Sequence, residues 1–305
     1  MNNTISFPGL GISLNPPIEI PIVGDFSVHF YGIIIGLGLI LSVVYGLRRS
    51  KSFGLKSDDI LDGVLWIVPI SIIGARLYSC FMEWESYRDN PISMLYIWKG
   101  GLAIYGVVIG AALGIIVFCR LKKLRTTAVL DLVGISFLIG QSIGRWGNFF
   151  NREAFGRYSD NFLAMRVNFD NLRIPKDATP KFLEQVEVLK QKAIEGGYEG
   201  FIQVHPTFLY EAVWNAIGFV LLHFLSKRRR FDGQMALCYV AWYGLGRAFI
   251  EGLRMDSLGW GDIRVSQVLA IGSCVIAVAV LVIAHFRPHN PLFVTAIEDA
   301  QNNEE

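Results

Sequence analysis

The chain has 305 residues, of which 52% are hydrophobic and 18% are charged, and its mean hydropathy is +0.42. Soluble domains carry about 25% charged residues, so this composition argues against a soluble globular protein and for contact with lipid. The formal net charge of only +2 gives no sign of the strongly basic surface that nucleic-acid-binding proteins use.

The N-terminal segment, residues 1–27, is rich in proline and glycine, and no lysine or arginine precedes Arg48. A secretory signal peptide begins with a basic region, so this segment does not have that pattern. Proline and glycine at this density favour extended and turn conformations. We therefore expect an extended segment outside the membrane.

Seven apolar runs follow, each near the 20 residues that a helix needs to cross a bilayer. They cover residues 28–47, 60–82, 101–119, 128–146, 207–225, 234–252 and 265–286. None alternates with the period of two that a membrane β-barrel requires. The sequence thus predicts an all-α integral membrane protein, a bundle of seven transmembrane helices. A soluble doubly wound α/β domain is the alternative, but its shorter strands and half-polar helices fit these runs less well.

Basic residues in the short loops predict the orientation of the bundle. The loops after the first, third and fifth helices each hold four lysines or arginines, whereas the other two short loops hold two each. The N-terminus is therefore predicted to lie outside and the C-terminus in the cytoplasm. The long polar segment between helices four and five becomes a small extracytoplasmic insertion.

One transmembrane catalytic domain is expected over residues 1–286, including the extracytoplasmic segment 151–205, with a cytoplasmic tail over 287–305. The acidic end of that tail, 297–305, is expected to be disordered. The four cysteines lie singly in apolar runs with no CxxC pair, so neither a zinc site nor a disulfide is predicted. The pair Gly106 and Gly110 predicts close helix packing.

Polar residues inside the predicted helices cluster at the ends that face outward. They are His29, Tyr31, Arg76, Tyr78, Tyr105, Gln141, Arg145, His205, Tyr210, Glu211, Tyr243, Arg247, Glu251, Ser266 and Gln267. Any single arginine or tyrosine here could be an interfacial anchor. The glutamates fit that alternative poorly, and Tyr243, Arg247 and Glu251, spaced by four, share one helix face. We expect a shared wet cavity. Asp131, near the inner start of its helix, is assigned a structural role at the helix dipole.

Arginine is the main cation at this level, and it binds phosphate through parallel N–H donors. Arg145 and Arg247, supported by Arg76, would form a phosphate site at the depth of a lipid headgroup. The sequence has no GxSxG, HExxH or P-loop motif, so hydrolytic or nucleotide chemistry has no visible machinery. The nucleophile is therefore expected to come from the substrate.

Carboxylates and amides surround the two arginines in the sequence. We expect Glu153 and Glu251 to hold the guanidinium groups in place. Asn148 and Asn151 are expected to donate to further oxygen atoms of the ligand.

Residues 144–153, Gly-Arg-Trp-Gly-Asn-Phe-Phe-Asn-Arg-Glu, are the densest polar stretch. Together with Gly156 they resemble the G-R-x-x-N-F-x-N-x-E signature of the bacterial prolipoprotein diacylglyceryl transferases. Further segments with this resemblance are 29–32, 100–106, 205–211 and 243–254. The order of the segments and the seven helices agree with the family over nearly the whole chain.

The resemblance implies an enzyme that transfers the diacylglyceryl group of phosphatidylglycerol to the lipobox cysteine thiol of a pre-lipoprotein. A thioether forms and glycerol phosphate leaves, as the first step of lipoprotein maturation. The implied location is the bacterial cytoplasmic (inner) membrane, with several spans and the active site toward the outer leaflet. The implied partners are phosphatidylglycerol and the signal peptide with its lipobox cysteine, and no cofactor or metal is implied.

The same resemblance distributes roles over the residues. Catalytic roles fall to Arg145, Arg247 and Tyr105. The residues implied to bind phosphatidylglycerol are Arg145, Asn148, Asn151, Glu153, Gly156, Tyr31, Arg76, Tyr243 and Glu251. The residues implied to support them are His205, Tyr210, Glu211 and Arg254. Many members have histidine where this chain has Tyr105, and a phenol with a pKa near 10 is a poor base. Tyr105 can still donate a hydrogen bond to a phosphate oxygen, and His29 and His205 remain the candidates for the base.

Two other functions are compatible with seven helices and a cationic cavity. A transporter or channel for an anionic solute is one, although such sites usually lie near the midplane between repeated halves. The predicted site lies near one face, and the sequence shows no internal repeat. A receptor-like sensor is the other, and it has no sequence feature of its own.

Overall fold

Long hydrophobic helices make up most of the computed structural model, which describes residues 4–23, 26–97, 100–172, 174, 180–198, 200–255, 259–260 and 263–302. Lys99 and residues 303–305, which entered the loop and tail predictions, lie outside this set. The helices are α1 (Phe30–Arg49), α2 (Ser57–Met82), α3 (Trp84–Tyr87), α4 (Ile104–Leu121), α5 (Thr126–Asn151), α6 (Pro180–Glu195), α7 (Thr207–Ser226), α8 (Gln234–Leu253), α9 (Val265–His285) and α10 (Phe293–Asn302).

Six helical segments are long and apolar enough to cross a membrane. They are Phe30–Phe53, Ser57–Met82, Ile104–Leu121, Thr126–Asn151, Thr207–Ser226 and Val265–His285. Helix α8 also has 20 residues, but it carries Arg247 and Glu251 and is not among the six. The prediction of a mainly helical membrane protein is confirmed. The seventh span and the orientation remain predictions.

Short strands, which the sequence analysis did not predict, form three antiparallel sheets. They are β1 (Ile5–Phe7), β2 (Ile12–Leu14), β3 (Glu19–Val23), β4 (Phe26–His29), β5 (Met165–Asn168), β6 (Phe201–Val204), β7 (Gly259–Trp260) and β8 (Ile263–Arg264). The largest sheet has the order β2-β1-β5-β6, and the other two are the pairs β3-β4 and β7-β8. The N-terminal segment is therefore part of a sheet.

A hydrophobic core stabilises the four-stranded sheet. Ile5, Val167 and Ile202 are fully buried on one face, where Phe182 and Val186 of α6 pack against them. Alternation explains this face, because Ser6 and Arg166 point the other way between buried neighbours. The described residues of segment 157–204, whose fold was not predicted from the sequence, thus include two strands and a helix, and they share their core with β1, Phe149 of α5 and Phe208 of α7.

The chain divides into two compact units. The first comprises residues 1–42, 134–229 and 237–288, and the second comprises residues 43–133, 230–236 and 289–305. In the first unit, α1 meets α5 where Gly38 and Gly140 allow close approach, since a Cβ on Gly38 would lie 3.3 Å from the Gly140 carbonyl oxygen. Small residues permit such contact between membrane helices.

Two tryptophans connect α7 to α8 in the first unit by stacking and hydrogen bonds. The rings of Trp214 and Trp242 stack with centroids 4.3 Å apart. Each indole Nε1 donates to the carbonyl oxygen of the other residue, both at 3.0 Å. Gly218 lies beneath the Trp242 ring and Gly246 beneath the Trp214 ring, where any side chain would collide with the indole. This reciprocal pair fixes the register of the two helices.

In the second unit, α2 and α4 pack backbone to backbone. A Cβ on Gly106 would lie 2.7 Å from Ala75 Cα, and one on Gly110 would lie 3.1 Å from Ser71 Cα. The close packing predicted for Gly106 and Gly110 is thereby confirmed. Arg76 of α2 is buried beside the following loop, as described below.

The structural role predicted for Asp131 is confirmed, with partners at another helix: its carboxylate accepts the backbone N–H groups of Gly233 and Ala236, both at 2.8 Å, at the start of α8. The tail is helical through Asn302, so the prediction of disorder was wrong for residues 297–302. Phe293 starts this helix, and its backbone N–H donates to Asp232 Oδ2 at 2.8 Å.

Candidate active site

Four charged side chains from three helices form one ion-pair network. Arg145 comes from the end of α5, Glu211 from the start of α7, and Arg247 and Glu251 from the last two turns of α8. Arg145 Nε pairs with Glu211 Oε2. Arg247 Nη1 lies 2.5 Å from Glu211 Oε1, and Arg247 Nη2 lies 2.6 Å from Glu251 Oε2. Glu211 therefore bridges the two arginines that the sequence analysis placed together.

The network has a buried side and an open side. The carboxylates of Glu211 and Glu251 are 5% and 2% exposed, whereas the side chains of Arg145 and Arg247 are 22% and 19% exposed. The carboxylates thus lie toward the protein interior, and the guanidinium groups lie toward the open side. Two positive and two negative charges balance, which reduces the penalty of holding ions away from water.

The open side leaves a donor for an incoming anion. Arg145 Nη2 forms no hydrogen bond or ion pair with any residue that the structure describes, while Nη1 donates only weakly, at 3.4 Å, to Asn148 Oδ1. A guanidinium with an exposed edge suits a phosphate, which accepts from two parallel N–H groups.

The sequence prediction for Glu153 was wrong in its partner. Glu153 Oε1 accepts hydrogen bonds from Asn148 Nδ2 at 3.2 Å and from Asn151 Nδ2 at 3.1 Å. Both amides thus donate to the same carboxylate oxygen, and their contact with a ligand remains a prediction. Glu211 occupies the place beside Arg145 that was expected for Glu153, because α7 presents its carboxylate to the end of α5. Of the two predicted carboxylate partners, Glu251 pairs with Arg247 as expected.

Gly156 lies where the chain segments at the ends of α5, α7 and α8 meet. Its N–H donates to the His205 carbonyl oxygen at 3.0 Å, and it forms an antiparallel bridge with Arg254 at the end of α8. A Cβ at this position would lie 2.7 Å from His205 Cβ, so only glycine allows the approach. Thr207 Oγ1 adds a hydrogen bond to the Ala154 carbonyl oxygen at 2.5 Å. The glycine therefore fixes the ends of α5, α7 and α8 relative to each other.

Tyr31 and Tyr243, which were also predicted for the site, belong to the first unit. Tyr31 packs its ring against Gly147, where a Cβ would lie 2.7 Å from Tyr31 Cδ2. Tyr243 stands one turn before Arg247 on α8, and its ring stacks on that of Tyr239 at 5.9 Å. Both tyrosines lie next to elements that carry an arginine of the network.

His205 and Tyr210 form a small polar cluster at the start of α7. His205 Nδ1 lies 3.3 Å from Tyr210 Oη and 3.4 Å from Asn161 Nδ2, and Asn161 Nδ2 donates to Tyr210 Oη at 3.1 Å. Burial lowers the pKa of His205. A neutral ring that accepts from its neighbours fits these contacts.

Arg76 and Tyr105 belong to the second unit. The Arg76 guanidinium donates to the carbonyl oxygens of Ser93, Met94, Gly100 and Gly101 at 2.7 to 2.9 Å. Because backbone carbonyls engage all three of its nitrogens, the prediction that Arg76 binds phosphate is withdrawn: it holds the loop before α4. Tyr105 opens that helix, is 40% exposed, and has its ring centroid 6.1 Å from that of Tyr78.

Two residues of the site were not singled out from the sequence. Asn161 lies in the polar segment, where no periodicity marks it. Arg264, which was counted only as a loop charge, donates to the Glu251 carbonyl oxygen. Burial, and then the nearby Arg157, lower the pKa of Arg264. Among the described residues, no group of three His, Cys, Asp or Glu side chains could hold a metal ion.

Comparisons with known proteins agree on one kind of enzyme. Residues 17–283 match the family described as prolipoprotein diacylglyceryl transferase. A phosphatidylglycerol–prolipoprotein diacylglyceryl transferase of Listeria innocua is 37% identical over 286 residues, which cover 94% of this chain and 96% of the relative. The protein of that name from Enterococcus faecalis is 42% identical over 267 residues, with 87% and 88% covered. The one from Limosilactobacillus reuteri is 38% identical over 262 residues, with 85% and 88% covered.

Proposed function

This chain belongs to the prolipoprotein diacylglyceryl transferase family, and from that premise we propose how it transfers a diacylglyceryl group from phosphatidylglycerol to a prolipoprotein. The acceptor is the lipobox cysteine of the signal peptide. Its sulfur forms a bond with the glyceryl carbon that carries the phosphate. The carbon–oxygen bond to the phosphate breaks, and glycerol phosphate leaves with the electron pair. The thiol proton is released.

The change in charge during this reaction explains the need for two arginines. The phosphodiester of phosphatidylglycerol carries one negative charge, whereas a phosphate monoester carries between about 1.5 and 2 at neutral pH. Negative charge therefore grows on the phosphate as the bond breaks. Arg145 and Arg247 face the open side of the network and would stabilise this charge.

Glu211 and Glu251 act as positioning residues in this proposal. They hold the two guanidinium groups from behind without reaching the phosphate themselves. The hydrogen-bonded set of Asn148, Asn151 and Glu153 shapes the loop beside Arg145. Tyr105 would donate to a phosphate oxygen. The substrate supplies the nucleophile, a thiol whose ordinary pKa near 8.5 falls beside cations.

The membrane placement is also part of the proposal. Helix α8 would be the seventh span, because three of its polar groups, Tyr243, Arg247 and Glu251, face partners within the protein instead of lipid. Seven spans put the N-terminus outside and the C-terminus in the cytoplasm of a bacterial inner membrane, with the site toward the outer leaflet. The distribution of loop cations supports this orientation.

The observation that carries the proposal is the arginine pair bridged by Glu211 within the matched family region. Purified protein, phosphatidylglycerol and a lipobox peptide should yield glycerol phosphate and a peptide heavier by one diacylglyceryl group. Arg145→Ala should lower the transfer rate by about 100- to 1,000-fold, the range for removal of one donor to a developing oxyanion. The matched control Arg88→Ala removes an exposed arginine outside the site and should keep the wild-type rate.

Absence of product from folded wild-type protein would refute the activity. A near-normal rate in Arg145→Ala would instead refute the role of that residue. The competing reading, transport of an anionic solute, gains no support from the family match.

A further inference from the structure

A groove of about 750 Å³ opens between α7, α8 and α9, and none of the four residues of the ion-pair network lines it. Its lining is apolar along most of its length, with Leu221, Leu245 and Val278 each more than 40% exposed. At one end Lys227 and Arg228 complete the lining. The volume falls within the range of about 300 to 1,000 Å³ for sites that hold small molecules.

The two cations at this end are not neutralised by the protein. Neither Lys227 nor Arg228 forms an ion pair with a residue that the structure describes, and both side chains are exposed. Lys227 Nζ lies 4.9 Å from the ring centroid of Phe224, which also lines the groove, so the ammonium is held near its mouth. Two positive charges at the end of an apolar groove are complementary to a molecule with an anionic head and apolar chains.

The depth of the groove separates it from the ion-pair network. Glu211 stands near the start of α7, and Lys227 follows its last residue, 227 − 211 = 16 positions later. At 1.5 Å per residue these positions are about 24 Å apart along the helix axis, most of the thickness of a bilayer core. The groove therefore ends at the face of the membrane opposite to the network.

We propose that this groove binds one anionic phospholipid from the leaflet opposite to the active site. The acyl chains lie against the apolar walls, and the phosphate meets Lys227 and Arg228. Basic pockets between transmembrane helices bind acidic lipid headgroups by the same combination of forces. The site is distinct from the transferase site and does not depend on the proposed reaction.

Binding in the groove has a structural consequence. Trp242 contributes to the lining, and its indole is also half of the reciprocal pair with Trp214. A bound lipid thus packs on the helix pair that carries Glu211 and Arg247, and it should raise the unfolding temperature of the protein by mass action.

Native mass spectrometry of the full chain in detergent tests the site, with phosphatidylserine as the probe and phosphatidylcholine as the zwitterionic comparison. The wild type should bind one more equivalent of phosphatidylserine than Lys227→Gln/Arg228→Gln. Each cation near an anionic headgroup contributes about fivefold in affinity, so the double variant should weaken this equivalent by about 25-fold. The control Arg120→Gln/Lys123→Gln loses the same charge from exposed residues that do not line the groove, and it should bind as the wild type does.

Ala241→Phe keeps both cations and fills the groove. It therefore tests whether the groove binds phosphatidylserine even if the charge variant does not fold. It should also lose the extra equivalent. Wild-type binding in the groove variants, or equal binding of phosphatidylcholine by the wild type, would overturn the proposal and make the groove ordinary lipid-facing surface. Transfer from phosphatidylglycerol to peptide is measured on the same samples. Its absence in the wild type would refute the proposed function and leave the phosphatidylserine result standing.

Discussion

Glu211 is the residue on which both arginines of the network depend, and Glu211→Gln tests it with almost no change of shape. The wild-type side chain is 5% exposed and accepts from Arg145 and Arg247. Glutamine keeps one acceptor oxygen and brings an NH₂ group toward the other guanidinium. The four-residue network then changes from neutral to a net charge of +1.

The expected magnitude follows from the loss of a buried partner. Breaking a buried ion pair on one side costs about 3–5 kcal/mol, because the remaining charge is left uncompensated. Misplaced guanidinium groups stabilise the transition state less. If about 3 kcal/mol of the lost interaction is added to the activation free energy, kcat falls by about 100-fold. The additional positive charge attracts the phosphate in the ground state, so the KM for phosphatidylglycerol should stay level or decrease.

The assay measures glycerol phosphate release over a range of phosphatidylglycerol concentrations, with thermal unfolding in detergent on the same preparation. Glu187→Gln on α6 is the matched control, since its carboxylate is exposed and, among the described residues, forms an ion pair with Lys190 alone. It should leave kcat and KM unchanged. A folded Glu211→Gln protein with kcat within threefold of the wild type would show that the bridge does not position the arginines.

Three further outcomes are expected. Tyr105→Phe should lower the transfer rate by about tenfold or less, the value of one neutral hydrogen bond, and an unchanged rate would remove Tyr105 from the site. His205→Asn should flatten the pH dependence of the unfolding temperature between pH 7.5 and 5.5. Burial lowers the pKa of His205 in the folded state, so the unfolded chain binds more protons in this range. The stability of the wild type should therefore fall as the pH drops below about 6.5, and the variant lacks this contribution. An identical acid slope in the variant would contradict this. Asp131→Asn replaces one of two acceptors of backbone N–H groups and should destabilise the fold by about 1–2 kcal/mol in thermal unfolding, with the turnover of the folded fraction kept.

The helices could be predicted from the sequence because the bilayer imposes a length and a composition on each of them separately. The predicted run 207–225 and the observed Thr207–Ser226 differ by one residue. The four-stranded sheet could not be predicted, because its strands have three or four residues and Ile5 pairs with Val167, which lies more than half the length of the chain away. Such pairing leaves no local pattern.

Within the site, local spacing again separated what could be predicted from what could not. Arg247 and Glu251 are four apart on one helix, and their pairing followed from that spacing. Arg145 and Glu153 lie close in sequence, which favoured the wrong partner. The true partner, Glu211, comes from another helix, and only the packing of α7 against α5 and α8 brings it there. Arg76 was misjudged for the same reason, since its carbonyl partners lie 17 to 25 residues further along the chain.

The neutrality of the network bears on how the enzyme binds its lipid. Two bare arginines would bind the phosphodiester tightly before any reaction, and tight binding of the ground state does not increase kcat. With Glu211 and Glu251 behind them, Arg145 and Arg247 attract a singly charged phosphodiester only moderately. As the carbon–oxygen bond breaks, the phosphate gains charge and the same guanidinium edges attract it more strongly. The carboxylates therefore keep the ground-state attraction moderate and hold both guanidinium groups in position for the charge that develops, so Glu211→Gln should lower kcat through misplaced arginines without raising KM.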